Sequence, residues 1–339
     1  MAYKIDKNRK QPYCLAPFAS PAITPDGFKM CSAPCSKSYK DVSFWNGDEM
    51  QRIRRQWING EVPAECTECY FTTHGVITSN KVPNKTEIPL NFKDLYIARS
   101  NKCDLACEMC SATISHTWDK VWNEGKVGIV ENDFDLSEFL HETEVCAISG
   151  GNPVLDHKIN DIIKGLDRNK IKRFLITTNG SVFPDKMLNN ILDKKFKCGV
   201  MLIFSIDGPK EFNEKARLGA KQERIYKTIN SVIERTRDEP NIEICVEFTG
   251  TNQSVRHLIG LYEEIKENLP IAPYMIGNVC AYPENLALQN LDDETWEYMK
   301  NELYRYFLKR ENKCELASYF SAMVDKYCSV VHKHKLKFN

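Results

Sequence analysis

Asp94-Leu95-Tyr96-Ile97-Ala98, followed after Arg99 by Ser100-Asn101-Lys102-Cys103-Asp104-Leu105-Ala106-Cys107-Glu108-Met109-Cys110, is the stretch on which the reading of this chain turns. Its first five residues have the length and apolar character of a short strand, and the loop behind them carries three cysteines in a C-x3-C-x2-C spacing. Downstream, the same apolar run recurs at Val145–Ser149, Arg173–Thr177, Val200–Ser205, Glu243–Phe248 and Tyr274–Cys280. Between these runs lie stretches at helical period: Ile114–Trp122, Ile159–Leu166, Lys186–Leu192, Ile225–Arg237 and Val255–Glu267. Strands alternating with helical stretches predict βα units and a parallel sheet. The runs are rich in Val, Ile, Leu and Phe without alternation, so burial on both faces is expected. Residues 92–285 are too few for eight such units, and an open or partial barrel of six βα repeats is expected instead.

The flanks read differently. Residues 1 to about 90 are punctuated by Pro12, Pro17, Pro21, Pro25, Gly27, Pro34, Gly47, Gly60, Pro63, Gly75, Pro83 and Pro89. One helix, Asp48–Ile58, interrupts them, with Met50, Ile53 and Trp57 at 3–4 spacing. So small an apolar core calls for a bound metal to hold it together. Glu87–Leu90 reads as a linker. After the βα repeats, residues 292–310 and Glu315–Val331 predict helices, and His332–Phe338 reads as a solvated end. The expected domains are therefore 1–90, 91–285 and 286–339.

Composition narrows the function. Among 339 residues, 46 Lys and Arg balance 46 Asp and Glu, with 42% apolar and 27% charged residues. Zero net charge argues against nucleic acid as a partner, because phosphate neutralisation needs a basic excess. No apolar run reaches the roughly 18 residues of a membrane span, and the first ten residues carry no apolar signal segment, so a cytoplasmic location is expected. Fourteen cysteines are many for a chain kept reduced. Eight of them, Cys14, Cys31, Cys35, Cys66, Cys69, Cys103, Cys107 and Cys110, precede residue 111. Clustered reduced thiols point to metal or iron–sulfur ligation.

Three thiolates sharing one centre fill three corners of a tetrahedral or cubane site. The corner left over suits catalysis, whereas a structural site would be closed. Zinc and iron–sulfur both remain open on spacing alone. The loops after later strands add to the picture: Ser149-Gly150-Gly151-Asn152-Pro153, Thr177-Thr178-Asn179-Gly180 and Ser205-Ile206-Asp207-Gly208-Pro209. Glycine admits close backbone approach, and Asn, Ser and Asp supply directional hydrogen bonds. In series after consecutive strands they point to one ligand across the top of the sheet.

With these motifs in order, the chain resembles the radical S-adenosylmethionine (SAM) enzymes from about residue 92 to 285. The resemblance implies an α/β chain: a partial (β/α)6 barrel of radical SAM type, preceded by a small irregular cysteine-rich cluster-binding domain and followed by C-terminal helices. It implies that Cys103, Cys107 and Cys110 hold a [4Fe–4S] cluster whose fourth iron takes the amino and carboxylate groups of S-adenosylmethionine. Electron transfer from the reduced cluster then releases a 5′-deoxyadenosyl radical that abstracts hydrogen from substrate. By the same resemblance Gly150, Gly151, Asn152 and Pro153 match the family's Gly-Gly-Glu-Pro segment, which binds the methionine amino group. Asn152 stands where Glu is usual, and an amide accepts from an ammonium without charge assistance. Asn179 joins the cofactor-binding set, Ser205 and Asp207 match a Ser-x-Asp-Gly segment with Ser205 as a ribose or carboxylate contact, and Arg217 would pair with the methionine carboxylate. Cys280, ending the last strand, would donate a hydrogen atom to the radical; Glu247 and Tyr274 would point into the barrel.

The N-terminal segment resembles the auxiliary-cluster domain called twitch, a shortened SPASM domain, through Cys14-Leu15-Ala16-Pro17-Phe18, Asp26-Gly27-Phe28-Lys29-Met30-Cys31 and Cys66-Thr67-Glu68-Cys69. It implies one auxiliary [4Fe–4S] cluster on Cys14, Cys31, Cys66 and Cys69, with Cys35 spare. The alternative is structural zinc on Cys31, Cys35, Cys66 and Cys69. The resemblance further implies a low-potential electron donor such as flavodoxin or ferredoxin, and a peptide or protein substrate, with a sugar, nucleoside or amino-acid derivative as the alternative. A non-catalytic zinc-binding interaction module is the reading from another class. Cys146, Cys198 and Cys245 read as small core residues, and Cys314 and Cys328 have no partner pattern.

Overall fold

All six apolar runs become strands of one parallel array. The computed structural model describes residues 3–4, 13–32, 36–67, 78–79, 81–270, 274–280, 283–303 and 305–306. In chain order the elements that position the site are β1 (Ala22–Thr24), β2 (Gly27–Lys29), β3 (Ser38–Tyr39), α1 (Asp48–Ile58), β4 (Asp94–Ile97), β5 (Ala106–Cys107), α2 (His116–Trp122), β6 (Val145–Ile148), α3 (Ile159–Gly165), β7 (Arg173–Thr178), α4 (Asp185–Lys194), β8 (Gly199–Ser205), α5 (Lys210–Ala216), β9 (Arg217–Leu218), α6 (Gln222–Thr236), β10 (Ile242–Gly250), α7 (Leu258–Asn268) and β11 (Tyr274–Val279). The main sheet runs β11-β10-β8-β7-β6-β4-β1-β2-β3, its two end strands unpaired with each other, so the array is open. Strands β4, β6, β7, β8, β10 and β11 are mutually parallel, with Ile97 opposite Ile148, Ile148 opposite Ile176, and Ser205 opposite Glu247.

The sheet continues into the N-terminal segment. Strand β1 lies parallel to β4 at Ile23 and Ile97, and β2 and β3 follow it antiparallel. Behind this edge, α1 buries Met50, Ile53 and Trp57 in a second core with Cys14, Phe18, Met30, Trp45 and Cys66.

The expectation of burial on both sheet faces needs correction. Leu95, Ile97, Cys146, Ile148, Phe174, Ile176, Val200, Leu202, Phe204, Val246 and Phe248 are fully buried and join Ile162, Ile163, Leu188, Ile191, Ile225 and Ile229 of the helices in one core. The alternate positions Tyr96, Ala147, Leu175, Thr177, Met201 and Glu247 are only half-buried, and burial on both faces holds at Ile203 and Cys245 of the central strands. The helices cover one face, and the other mixes polar Tyr96, Thr177 and Glu247 with apolar Ala147, Leu175 and Met201, so the pattern is the period-2 alternation of a strand with unlike surroundings. Sequence periodicity missed the short helix α5, whose two turns follow Gly208-Pro209. The helix expected over 292–310 is an α-helix at Asp293–Tyr298 continued as a π-helix at Met299–Leu303; the one expected at Glu315–Val331 lies outside the described residues. Among the described residues no helix is long and apolar enough to cross a membrane.

Candidate active site

The three-cysteine loop leaves the end of β4 and is gripped from three directions. From one side, the start of α2 holds it: the Cys103 N–H donates to His116 Nδ1 at 3.1 Å, the Thr117 hydroxyl donates to the Cys103 carbonyl at 2.6 Å, and the Ser115 hydroxyl donates to the Leu105 carbonyl at 2.6 Å. Ser115 also caps α2 by accepting from the Trp118 N–H. From a second side, β5 pairs antiparallel with β9, setting Cys107 opposite Arg217, and the Glu108 N–H donates to the Ala216 carbonyl at 2.8 Å. A turn closed by the Cys110 N–H on the Cys107 carbonyl then brings those two thiols together.

From the third side comes the glycine pair after β6. A Cβ on Gly151 would lie 2.2 Å from the Lys102 carbonyl oxygen, and Gly150 has φ +105° with its would-be Cβ 2.9 Å from Ala98 Cα. Only glycine lets this backbone rest on the loop. The contact is sealed by the Asn152 N–H donating to the Lys102 carbonyl at 2.6 Å.

Burial pushes the Cys103 thiol up to about 11. Cys107 and Cys110 share a hydrogen bond that raises Cys107 and lowers Cys110, with the Arg217 guanidinium favouring the thiolate at both. Arg217 Nη1 lies 3.9 Å from Cys107 Sγ, and Asn179 Nδ2 lies 3.8 Å from Cys103 Sγ. Among the described residues no three His, Cys, Asp or Glu side chains gather around a single ion. Three neighbouring thiols, N–H donors aimed at two of the sulfurs and a buried cation behind them form a donor set that fits a thiolate-bound iron–sulfur cluster.

Two polar networks surround the thiols. In the first, Asn152 is 1% exposed; its carbonyl accepts from the Thr178 hydroxyl at 2.7 Å, and its amide donates to Asn179 Oδ1 at 2.9 Å and Asp104 Oδ1 at 3.1 Å. Asn179 donates to the same Asp104 oxygen at 2.8 Å. Burial works against the Asp104 carboxylate, but hydrogen bonds from Ser181, Asn179 and Asn152 outweigh it and hold the group below the ordinary carboxylate range. In the second, Arg217 makes a bidentate pair with Asp207 at 2.6 and 3.0 Å, and Asp207 also accepts the Thr249 N–H at 2.8 Å. Burial disfavours the Arg217 charge, yet Asp207 and the neighbouring thiols raise its pKa overall.

The sequence-derived residues are thus distributed unevenly. Gly150, Gly151, Asn152, Asn179 and Arg217 all meet the cysteine loop or its immediate neighbours. Pro153 is buried at the start of a 3₁₀ turn, and Ser205 is buried at the end of β8. Asp207 sits behind Arg217 with its side chain fully enclosed. The Cys280 side chain is buried just past β11; its N–H donates to the Gly250 carbonyl. Sequence reasoning passed over Asp104, which looked like a spacer, and Tyr96. The Tyr96 phenol is pushed up by burial and by Glu247, against a hydrogen bond with Ser149, so these three share the uncovered face of the sheet. The Tyr274 side chain lies outside the described residues.

A second thiol group lies in the N-terminal core. Burial raises the Cys66 thiol, and repulsion from Cys31 and Cys14 adds to it, so the three are neighbours. Cys35 and Cys69 lie outside the described residues. In the same core Arg54 is fully buried and stacks on Trp45 at 4.4 Å; among the described residues it has no carboxylate partner, and its Nη2 and the Trp45 Nε1 bond to nothing. A buried cation with an orphaned donor fits an anionic thiolate-bound group beside it.

A family model described as the Radical SAM superfamily matches residues 97–264. The tungsten-containing aldehyde ferredoxin oxidoreductase cofactor-modifying protein of Pyrococcus furiosus is 24% identical over 243 residues, which is 66% of this chain and 66% of that protein. Among solved structures, native anSMEcpe with bound AdoMet is similar at 19% identity and TM-score 0.45, over 62% of this chain and 60% of that one. Streptococcus suis SuiB bound to S-adenosylmethionine is similar at 18% identity and TM-score 0.40, over 62% and 43%.

Proposed function

Since the chain belongs to the radical SAM superfamily and is an enzyme of that class, we propose that Cys103, Cys107 and Cys110 hold its [4Fe–4S] cluster and that its substrate is a peptide or protein segment. The observation that carries the assignment is the grip on the cysteine loop, which presents three thiols with N–H donors at two sulfurs. When bound, the cluster and S-adenosylmethionine supply a 5′-deoxyadenosyl radical that removes hydrogen from substrate.

The chain's own residues orient and shield that chemistry. Arg217, kept in place by Asp207, offsets negative charge at Cys107; Asn179 donates toward Cys103; and Gly151 lets the loop after β6 lie against the loop that carries the thiols. Gly150, Pro153 and Ser205 complete the surface for S-adenosylmethionine. Tyr96, Ser149 and Glu247 on the uncovered face meet the substrate, and Cys280 at the end of β11 supplies a hydrogen atom.

Residues 1–90 hold an auxiliary cluster through Cys14, Cys31, Cys66 and Cys69; the buried Arg54, without a carboxylate partner among the described residues, supports an anionic occupant. The enzyme works in the cytoplasm with flavodoxin or ferredoxin as electron donor. The peptide substrate is supported by the likeness of residues 1–90 to auxiliary-cluster domains. A small-molecule substrate is the second reading, favoured by the cofactor-modifying role of the Pyrococcus furiosus relative.

Anaerobic reconstitution, dithionite reduction and assay for 5′-deoxyadenosine test the proposal. The protein should be brown and yield 5′-deoxyadenosine, and Cys→Ala at 103, 107 and 110 together should abolish that product. A colourless, air-indifferent protein containing zinc, or a triple variant that still yields the product, would refute it.

A further inference from the structure

The loop that carries the three thiols also carries an unpaired negative charge. Asp104 follows Cys103 directly and is exposed. Three nearby ion pairs are closed, Arg217 with Asp207, Lys102 with Glu131, and Arg99 with Asp156, which leaves the two acids of the loop itself, Asp104 and Glu108, outside them. Asp104 pairs with no cation among the described residues. Its position is nonetheless fixed, because Asn179, Asn152 and Ser181, all neutral, bond to it. A carboxylate held by neutral donors keeps its full charge for a ligand.

The neighbouring Asn152 cannot accept from that ligand's amino group. It is 1% exposed, its carbonyl oxygen is occupied by the Thr178 hydroxyl, and its amide hydrogens point at Asn179 and Asp104. The amide therefore acts as a clamp, and the anion it clamps is the group that faces outward.

We propose that Asp104 accepts a hydrogen bond from the α-amino group of S-adenosylmethionine, so that the charge absent from the loop after β6 is provided from inside the cysteine loop itself. This rests on the functional reading given above. It makes Asp104 a binding residue, with Asn152 and Asn179 as its positioning residues. A charge-assisted hydrogen bond to a fixed carboxylate is worth roughly ten- to a hundredfold in affinity.

The test is equilibrium binding to the full-length, anaerobically reconstituted protein, read by calorimetry, with cluster content checked by iron analysis. Two probes are used: S-adenosylmethionine and its deaminated analogue, which keeps the sulfonium and carboxylate but lacks the amino group. Asp104→Asn should weaken S-adenosylmethionine binding about ten- to a hundredfold and leave the analogue's affinity unchanged. Asp104→Glu should bind S-adenosylmethionine at least about tenfold tighter than Asp104→Asn. If Asp104→Asn fails to load its cluster, the same comparison is made between Asp104→Glu and Asp104→Gln. Equal S-adenosylmethionine affinity in wild type and the neutral variant, or equal losses for both probes, would overturn the assignment. A cluster-loaded wild type that binds neither probe would instead sink the functional reading, and this inference with it.

Discussion

Replacing Arg217 with Met isolates the buried ion pair behind the thiols. Arg217 is 7% exposed and the Asp207 side chain 0%. Removing the guanidinium leaves Asp207 with the Thr249 N–H as its remaining hydrogen-bond donor. Breaking a buried pair from one side costs about 3–5 kcal/mol, because an uncompensated charge stays enclosed. That is a large part of the roughly 5–15 kcal/mol that holds a domain folded, but leaves enough to measure. Replacing both partners with apolar residues removes the stranded charge, so Arg217→Met with Asp207→Leu should lose much less than the two single losses summed. Urea unfolding of the four proteins without cluster, followed by circular dichroism, gives the coupling energy, expected at about 3 kcal/mol or more. A single loss below about 1 kcal/mol, or strict additivity, would show that the pair is not the buried and mutually dependent unit described, and the role given to Arg217 would fall.

Other perturbations follow from the same contacts. Gly151→Ala sets a methyl group against the Lys102 carbonyl, so the protein should lose about 1–3 kcal/mol in urea unfolding and reconstitute with less iron at the active-site cluster. Arg54→Met keeps the stem packed on Trp45 but strips donors from the Pro17 and Thr86 carbonyls and Asn46 Oδ1; a loss of about 2–4 kcal/mol is expected by the same assay. His257 stacks on Phe212, and burial, then Arg256, lowers its pKa below the ordinary 6.5. The unfolded chain therefore binds a proton that the folded chain does not, so stability should fall as pH drops below about 6.5, and His257→Phe should flatten Tm against pH there. Iron analysis should find about two clusters per chain, falling to about one both in the triple variant of Cys103, Cys107 and Cys110 and in that of Cys14, Cys31 and Cys66.

The strands were legible because each is a short apolar run followed by a loop of Gly, Asn, Ser or Cys, a local signal that survives without tertiary knowledge. All six appear within about two residues of their expected bounds, as does helix Asp48–Ile58. The pairing of β1 with β4 was not legible, because a three-residue strand among prolines carries no period and its partner lies more than seventy residues on. Alternation was hidden for a different reason: Ala147, Leu175 and Met201 on the uncovered face are themselves apolar, so composition failed to separate the faces. The thiol trio and the glycine pair carry their own signature in spacing. Asp104 had none in isolation. The clue was relational: a missing acid at Asn152 and a spare one between two cysteines, forty-eight residues apart in sequence but 3.1 Å apart in space.

That relation also explains why the polar residues around the thiols fall into two depths. Asp207 is enclosed with Arg217, where its charge is spent on a guanidinium and fixes the strand that pairs with Cys107. Asp104 is exposed and held by neutral amides, where its charge is kept. An acid at the first position positions the loop and at the second binds a ligand, so exchanging their surroundings should exchange their effects. Asp207→Asn should lower fold stability and leave the discrimination between S-adenosylmethionine and its deaminated analogue intact. Asp104→Asn should cut that discrimination about ten- to a hundredfold with little change in urea unfolding, below about 1 kcal/mol for an exposed group. If both substitutions moved both readouts together, the loop would be one cooperative unit and the separation of positioning from binding would be wrong.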